Sequence, residues 1–138
     1  MPSHYKFLIV DDNPDSRFLL VKTLLRKFPQ ALLQETQDGE SSVALARSET
    51  FDAIVVHRAA EIDGVTLIRK IREANQTVPI VMVSGIDRTK SALDAGASTF
   101  LSYEAWLRIG TVVRELLGAT SAASNPPVET GTATAGNK

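Results

Sequence analysis

The chain has no cysteine, which excludes disulfides, thiolate metal sites and a cysteine nucleophile. It has no excess of either charge. Fifteen lysines and arginines stand against sixteen aspartates and glutamates, interspersed, for a net charge of −1. No basic stripe invites a nucleic acid and no acidic block forms a solvating tail. Long apolar runs are missing too. After Met1-Pro-Ser-His-Tyr-Lys the first run is Phe7 to Val10, far too short for a signal peptide or a membrane span. A cytoplasmic protein without nucleic-acid or membrane contact is the expectation. What remains is 138 residues, 43% apolar and 22% charged, enough for one ordinary domain with a real core.

Short apolar runs alternate with amphipathic stretches five times. Strands are expected at residues 5–10, 31–36 (the weakest), 51–57, 78–83 and 98–102. Asn13 is a natural N-cap and Pro14 suits a first helical position. Phe18, Val21, Leu25 and Phe28 then recur at helical spacing and predict the buried face of the first helix, which Pro29 stops. Asp38-Gly39 opens a second helix, to about residue 48. Asp63 caps a third, with Val65, Ile68 and Ile71 inward. A short fourth helix around 87–95 ends at Gly96, and a fifth runs from about 103 to 117. Trp106, Ile109, Val113 and Leu116 form its inner face, and Gly118 closes it. Phe18, Phe28 and Trp106 are expected in the core, and His4 in solvent. The domain is placed at residues 1–118, and residues 119–138, small and polar with Pro and Gly, as a disordered tail or linker stub.

Strict β-α alternation implies an α/β fold, a parallel sheet covered by helices on both faces, with function at the carboxyl ends of the strands. The segments FLIVDDNPDSR, DGESSVALA, FDAIVV with IDGVTLIRKIR, VPIVMVSG and AGASTFL fall on successive elements. Together they resemble the response-regulator receiver family, the CheY-like fold, over residues 5–117. The resemblance implies a doubly wound (βα)5 three-layer sandwich of flavodoxin-like type, with sheet order 2-1-3-4-5.

In that family an acidic pair after the first strand binds Mg²⁺, an aspartate ending the third strand accepts the phosphoryl group, and a hydroxyl and a lysine hold its oxygens. The resemblance places Asp11 and Asp12 at the acidic pair, Ser84 at the hydroxyl and Phe100 at the switch aromatic. His57 stands at the acceptor and Tyr103 at the lysine, followed by Glu104 instead of proline. A cis peptide at Glu104 would cost about 3–4 kcal/mol, so trans is expected. The stretch from His57 to Gly64 is one residue short of the family pattern and lacks its proline. The stretch from Ser84 to Gly96 is short by about a helical turn, roughly three to four residues. No register restores an aspartate at the acceptor position.

These residues admit several chemistries. Asp11 and Asp12 could hold Mg²⁺ weakly, since imidazole is a poor partner for a hard cation. A softer metal could bind His57 with the two carboxylates. A protonated His57 could instead satisfy the acids itself, standing in for both metal and lysine, and this is the favoured expectation. Ser84, His57 and an aspartate could form a hydrolytic cluster, though without the strained nucleophile elbow. A divergent receiver phosphorylated elsewhere is the alternative within the family. Tyr103 is either a lid or ordinary packing, and Arg88 and Lys90 are a solvated face or a partner site. The overall expectation is a pseudo-receiver, not an enzyme, with no resident cofactor and signalling independent of phosphorylation. Its partner would be a signalling protein, a histidine kinase or an output domain, met through the helix 4–strand 5–helix 5 face, with room for a homodimer.

Overall fold

The computed structural model describes residues 4–124, with side chains through residue 119. Its elements run β1 (Lys6–Val10), α1 (Pro14–Lys27), β2 (Leu32–Thr36), α2 (Gly39–Ser48), β3 (Ala53–Val56), α3 (Gly64–Ala74), β4 (Ile80–Ser84), α4 (Thr89–Ala95) and β5 (Thr99–Ser102). A 3-10 segment (Tyr103–Arg108) then leads into α5 (Ile109–Ser124). The five strands form one parallel sheet in the order β2-β1-β3-β4-β5.

Strand alternation divides the core in two. Leu8, Val10, Ile54, Val56, Ile80 and Met82 face α2, α3 and α4. Phe7, Ile9, Val55, Val81 and Val83 face α1 and α5. β1, β3 and β4 are buried on both faces, which is why they read as unbroken apolar runs.

The expected caps are in place. The Asn13 side chain accepts from the N–H groups of Asp15 and Ser16, Asp38 from that of Ser41, and Asp63 from those of Val65 and Thr66. Gly96 ends α4 at φ 117°. An added Cβ there would lie 2.6 Å from Arg72 Cγ, and Arg72 Nε donates to the Gly96 carbonyl at 2.8 Å. The Tyr103–Glu104 peptide is trans.

Three expectations are corrected. α1 buries Leu20 and Leu24, and only part of the predicted stripe joins them: Phe28, just past the helix, is in the core and Val21 half-buried against it, but Phe18 is 60% and Leu25 36% exposed. The helix carries two apolar stripes, and its close contact with α5 selects between them. There Gly110 lies so near Lys27 that a Cβ would come within 2.9 Å of the lysine Cβ.

The fifth helix starts later than expected, after a 3-10 segment with a kink at Ala105. Ile109 and Val113 are fully buried, while Trp106 and Leu116 are only half so. Nor does Gly118 close it, for α5 runs on to Ser124 through alanine-rich sequence that favours helix. The rest of the expected tail lies outside the described residues.

Leu24→Ala should lower urea-unfolding stability by about 2–5 kcal/mol. Phe18→Ala at micromolar protein should change it by less than about 0.5 kcal/mol. The reverse ranking would restore the predicted stripe to the core.

Candidate functional site

Parallel register builds the site. Val10 pairs with Thr36 on one side and with Val56 on the other. The ladder continues one step beyond the strands, with Asp11 N–H donating to the Thr36 carbonyl at 3.0 Å and His57 N–H to the Val10 carbonyl at 2.9 Å. Asp11 and His57 therefore emerge side by side. Alternation sets both on the α1 and α5 side of the sheet, in phase with Ile9 and Val55.

His57 Nδ1 lies 2.9 Å from Asp11 Oδ2. A carboxylate can only accept, so the shared proton belongs to Nδ1. Asp11 is fully buried and takes two further donors. The Asn13 N–H reaches Oδ1 at 3.0 Å, and the Ser16 hydroxyl bonds Oδ2. Burial pushes the Asp11 carboxyl up, but the hydrogen bonds from His57, Ser16 and Asn13, with the attraction of the imidazole, outweigh it. The group is held below its ordinary value of 3.8. Arg17 binds the Asp11 carbonyl at 2.7 Å and Glu35 at 3.0 Å, tying α1 and β2 to the same corner.

The Tyr103 ring stacks on the imidazole, with 4.8 Å between centroids and 3° between planes. The same ring packs against the α1–α5 core, so it stacks on the imidazole and fills the sheet edge at once. Above lies an open cleft of about 810 Å³, whose wall includes Asp12, His57, Arg58, Asp63, Ser84 and Tyr103. Four of the six expected site residues thus meet in the cleft wall. Asp11 lies beneath it. Phe100 is half-buried against the α2–α3–α4 core, level with Met82, and does not line the cleft.

The rim is held by residues to which the sequence assigned no such role. Asp12 faces Arg58 Nε at 3.4 Å. Arg88 grips both carboxylate oxygens of Asp63, so it is no merely solvated side chain, and the pair holds the Asp63 carboxyl below its ordinary range. Lys90 pairs with Asp94 on α4. Glu61 accepts from the Gly39 and Glu40 N–H groups at 2.8 and 3.0 Å, capping α2 from the β3–α3 loop. The only sequence signal for that cap was an acid in a loop that must pass the start of a helix. His4, exposed, contacts Gln30 at 2.9 Å.

The donor set fits a divalent metal poorly. Three of roughly four acceptor positions on Asp11 are taken. Mg²⁺ keeps several waters and binds through one or two carboxylates, so with Asp11 engaged the main open donor is Asp12, which itself faces Arg58. Nor does a hydrolytic triad assemble. The Ser84 hydroxyl accepts the Ile86 N–H at 3.1 Å, and among the described residues no hydrogen bond joins it to His57.

Comparison with known proteins agrees with the geometry. Residues 7–104 match the response regulator receiver domain, and the chain belongs to that family. Stress response regulator protein 1 of Meyerozyma guilliermondii is 32% identical over 90 residues, 64% of this chain and 41% of that protein. Response regulator protein PilR of Pseudomonas aeruginosa is 30% identical over 131 residues, 92% of this chain and 28% of that protein. The chain thus spans less than half the length of these relatives. A CheY-like receiver domain from Methanospirillum hungatei JF-1 superposes with a TM-score of 0.78 at 19% identity, covering 88% of this chain and all of that one. The receiver domain of a sensor histidine kinase from Pseudomonas aeruginosa PAO1, solved with a magnesium ion in its active-site cleft, gives 0.71 at 24% identity over 84% of this chain and 99% of that one. The chain is therefore a two-component receiver domain. No described helix is long and apolar enough to cross a membrane.

Asp11 gives a pH signature with a definite sign. Its carboxyl is lower in the folded than in the unfolded chain, so its stabilisation is complete above the ordinary value of 3.8 and drains away as pH falls through the lower folded value. In urea titrations across this acid range, Asp11→Asn should lose stability less steeply with falling pH than the unchanged protein. Equal slopes would mean that the Asp11 network does not contribute to acid sensitivity.

Proposed function

We propose that this receiver no longer takes a phosphoryl group and signals by protein contact alone. The observation that carries the reading is the buried Asp11–His57 bond beneath the Tyr103 ring. At residue 57, where the resemblance puts the acceptor carboxylate, an imidazole occupies the acid that would otherwise face a metal. At residue 103 an uncharged ring replaces the lysine. Phosphoryl transfer depends on an in-line nucleophile and on cations that neutralise developing charge, and each loss removes one of these. Receivers are not classical enzymes, though they autophosphorylate, and this one lacks the parts for that step. Mg²⁺ binds weakly at Asp11 and Asp12 at best, and no cofactor is needed.

A histidine kinase, another signalling protein or an output domain is the partner class that fits a receiver. The α4–β5–α5 face is the first surface to test.

Intact mass after incubation with Mg²⁺ and acetyl phosphate should be unchanged. Joint substitution His57→Asp and Tyr103→Lys should restore uptake of one phosphoryl group. A phosphoryl group on the unaltered chain would overturn the proposal, and peptide mapping would then identify the residue that carries it.

A further inference from the structure

The outward face of α1 is not simply polar. Phe18 and Leu25, 60% and 36% exposed, stand about two turns apart on the side opposite buried Leu20 and Leu24. Single exposed apolar residues are ordinary. Here the charges beside them are sorted as well. Asp15 stands at the N-terminal end of this face and Arg26 near its C-terminal end, about three turns apart, with Lys22 between them. None of the three is in an ion pair among the described residues. The helix dipole accounts for acid at the start and base at the end. It does not account for their sharing one side with Phe18 and Leu25.

We propose that this face binds the same face of a second copy, the two α1 helices running antiparallel about a twofold axis near Val21 and Lys22. In an antiparallel pair the same flank of each helix meets its counterpart. With Phe18 level with Leu25 of the second copy, Asp15 lies within about 3 Å, along the axis, of Arg26 of that copy. Symmetry makes each contact twice, giving two apolar contacts and two ion pairs. Lys22 bends back over its own Phe18, its Nζ 5.5 Å from the ring centroid, so the two lysines near the axis diverge.

Other occupants fit less well. A parallel pair would set Asp15 against Asp15 and Arg26 against Arg26. A uniformly acidic helix or an anionic membrane would meet Asp15 at one end. One helix of about 21 Å buries less than a standard interface, so the dimer is weak and depends on concentration. This inference does not rest on the phosphoryl reading of the cleft, because association is measured without a phosphodonor.

The test is sedimentation velocity of the full chain at low ionic strength, from micromolar to about millimolar protein. The unchanged protein should show a rapid monomer–dimer equilibrium. Phe18→Ala should weaken it about tenfold. Asp15→Lys and Arg26→Glu should each weaken it several-fold. Combined, the two charge reversals should return the dimer to within about twofold of the unchanged protein. Stability cannot explain such a rescue, since the double variant keeps both charges that oppose the helix dipole. A monomer throughout, a dimer indifferent to all three single changes, or a double variant no tighter than its weaker parent would each overturn the proposal.

Discussion

The bond between Asp11 and His57 is the constraint on which the site depends. A buried carboxylate without partners would cost several kcal/mol, so its donors are not optional. Each comes from a different part of the chain: His57 after β3, Ser16 inside α1, the backbone of Asn13 at the cap of that helix. Satisfying one acid therefore fixes the start of α1, the end of β1 and the end of β3 together. Tyr103 adds the end of β5 by lying flat on the imidazole. The Asp11 oxygens are thereby engaged inward, beneath the cleft.

The rim follows from the same economy of polar groups. The β3–α3 loop is short, yet it meets three neighbours: Arg58 reaches Asp12, Glu61 caps α2, and Asp63 both caps α3 and holds Arg88. Exposed ion pairs contribute about 0–1 kcal/mol each, so the two arginine bridges are secondary. The Glu61 cap also fixes shape. Ile62 from the same loop packs so near Gly39 that a Cβ there would come within 2.6 Å of it. The loop is thus seated on α2 rather than hung across the cleft.

Much of this was legible in the sequence, for local reasons. Asn13, Asp38, Asp63 and Gly96 announce helix ends through chemistry that only helix ends require. Apolar runs announced strands because strands buried on both faces need no alternation. The family resemblance singled out Asp11, Asp12, His57, Ser84 and Tyr103, and they converge because parallel strands gather function at their carboxyl ends. The failures are equally physical. α1 has two apolar stripes, and only the approach of α5 at Gly110 decides which is buried. The kink at Ala105 shifts the phase of everything before Ile109, so Trp106 packs against the same core as Val113 but is only half-buried. Phe100, which the resemblance put at the switch position, packs half-buried against the α2–α3–α4 core.

The central claim is that His57 has taken the place of metal and phosphate in this receiver. Nuclear magnetic resonance tests it most directly, through backbone amide shifts during titration with Mg²⁺ and then beryllofluoride. The account predicts no saturating shifts at Asp11, Asp12, His57 or Ser84, and a ring proton held on His57 Nδ1. Saturable shifts centred on those four residues, with loss of that proton, would contradict it.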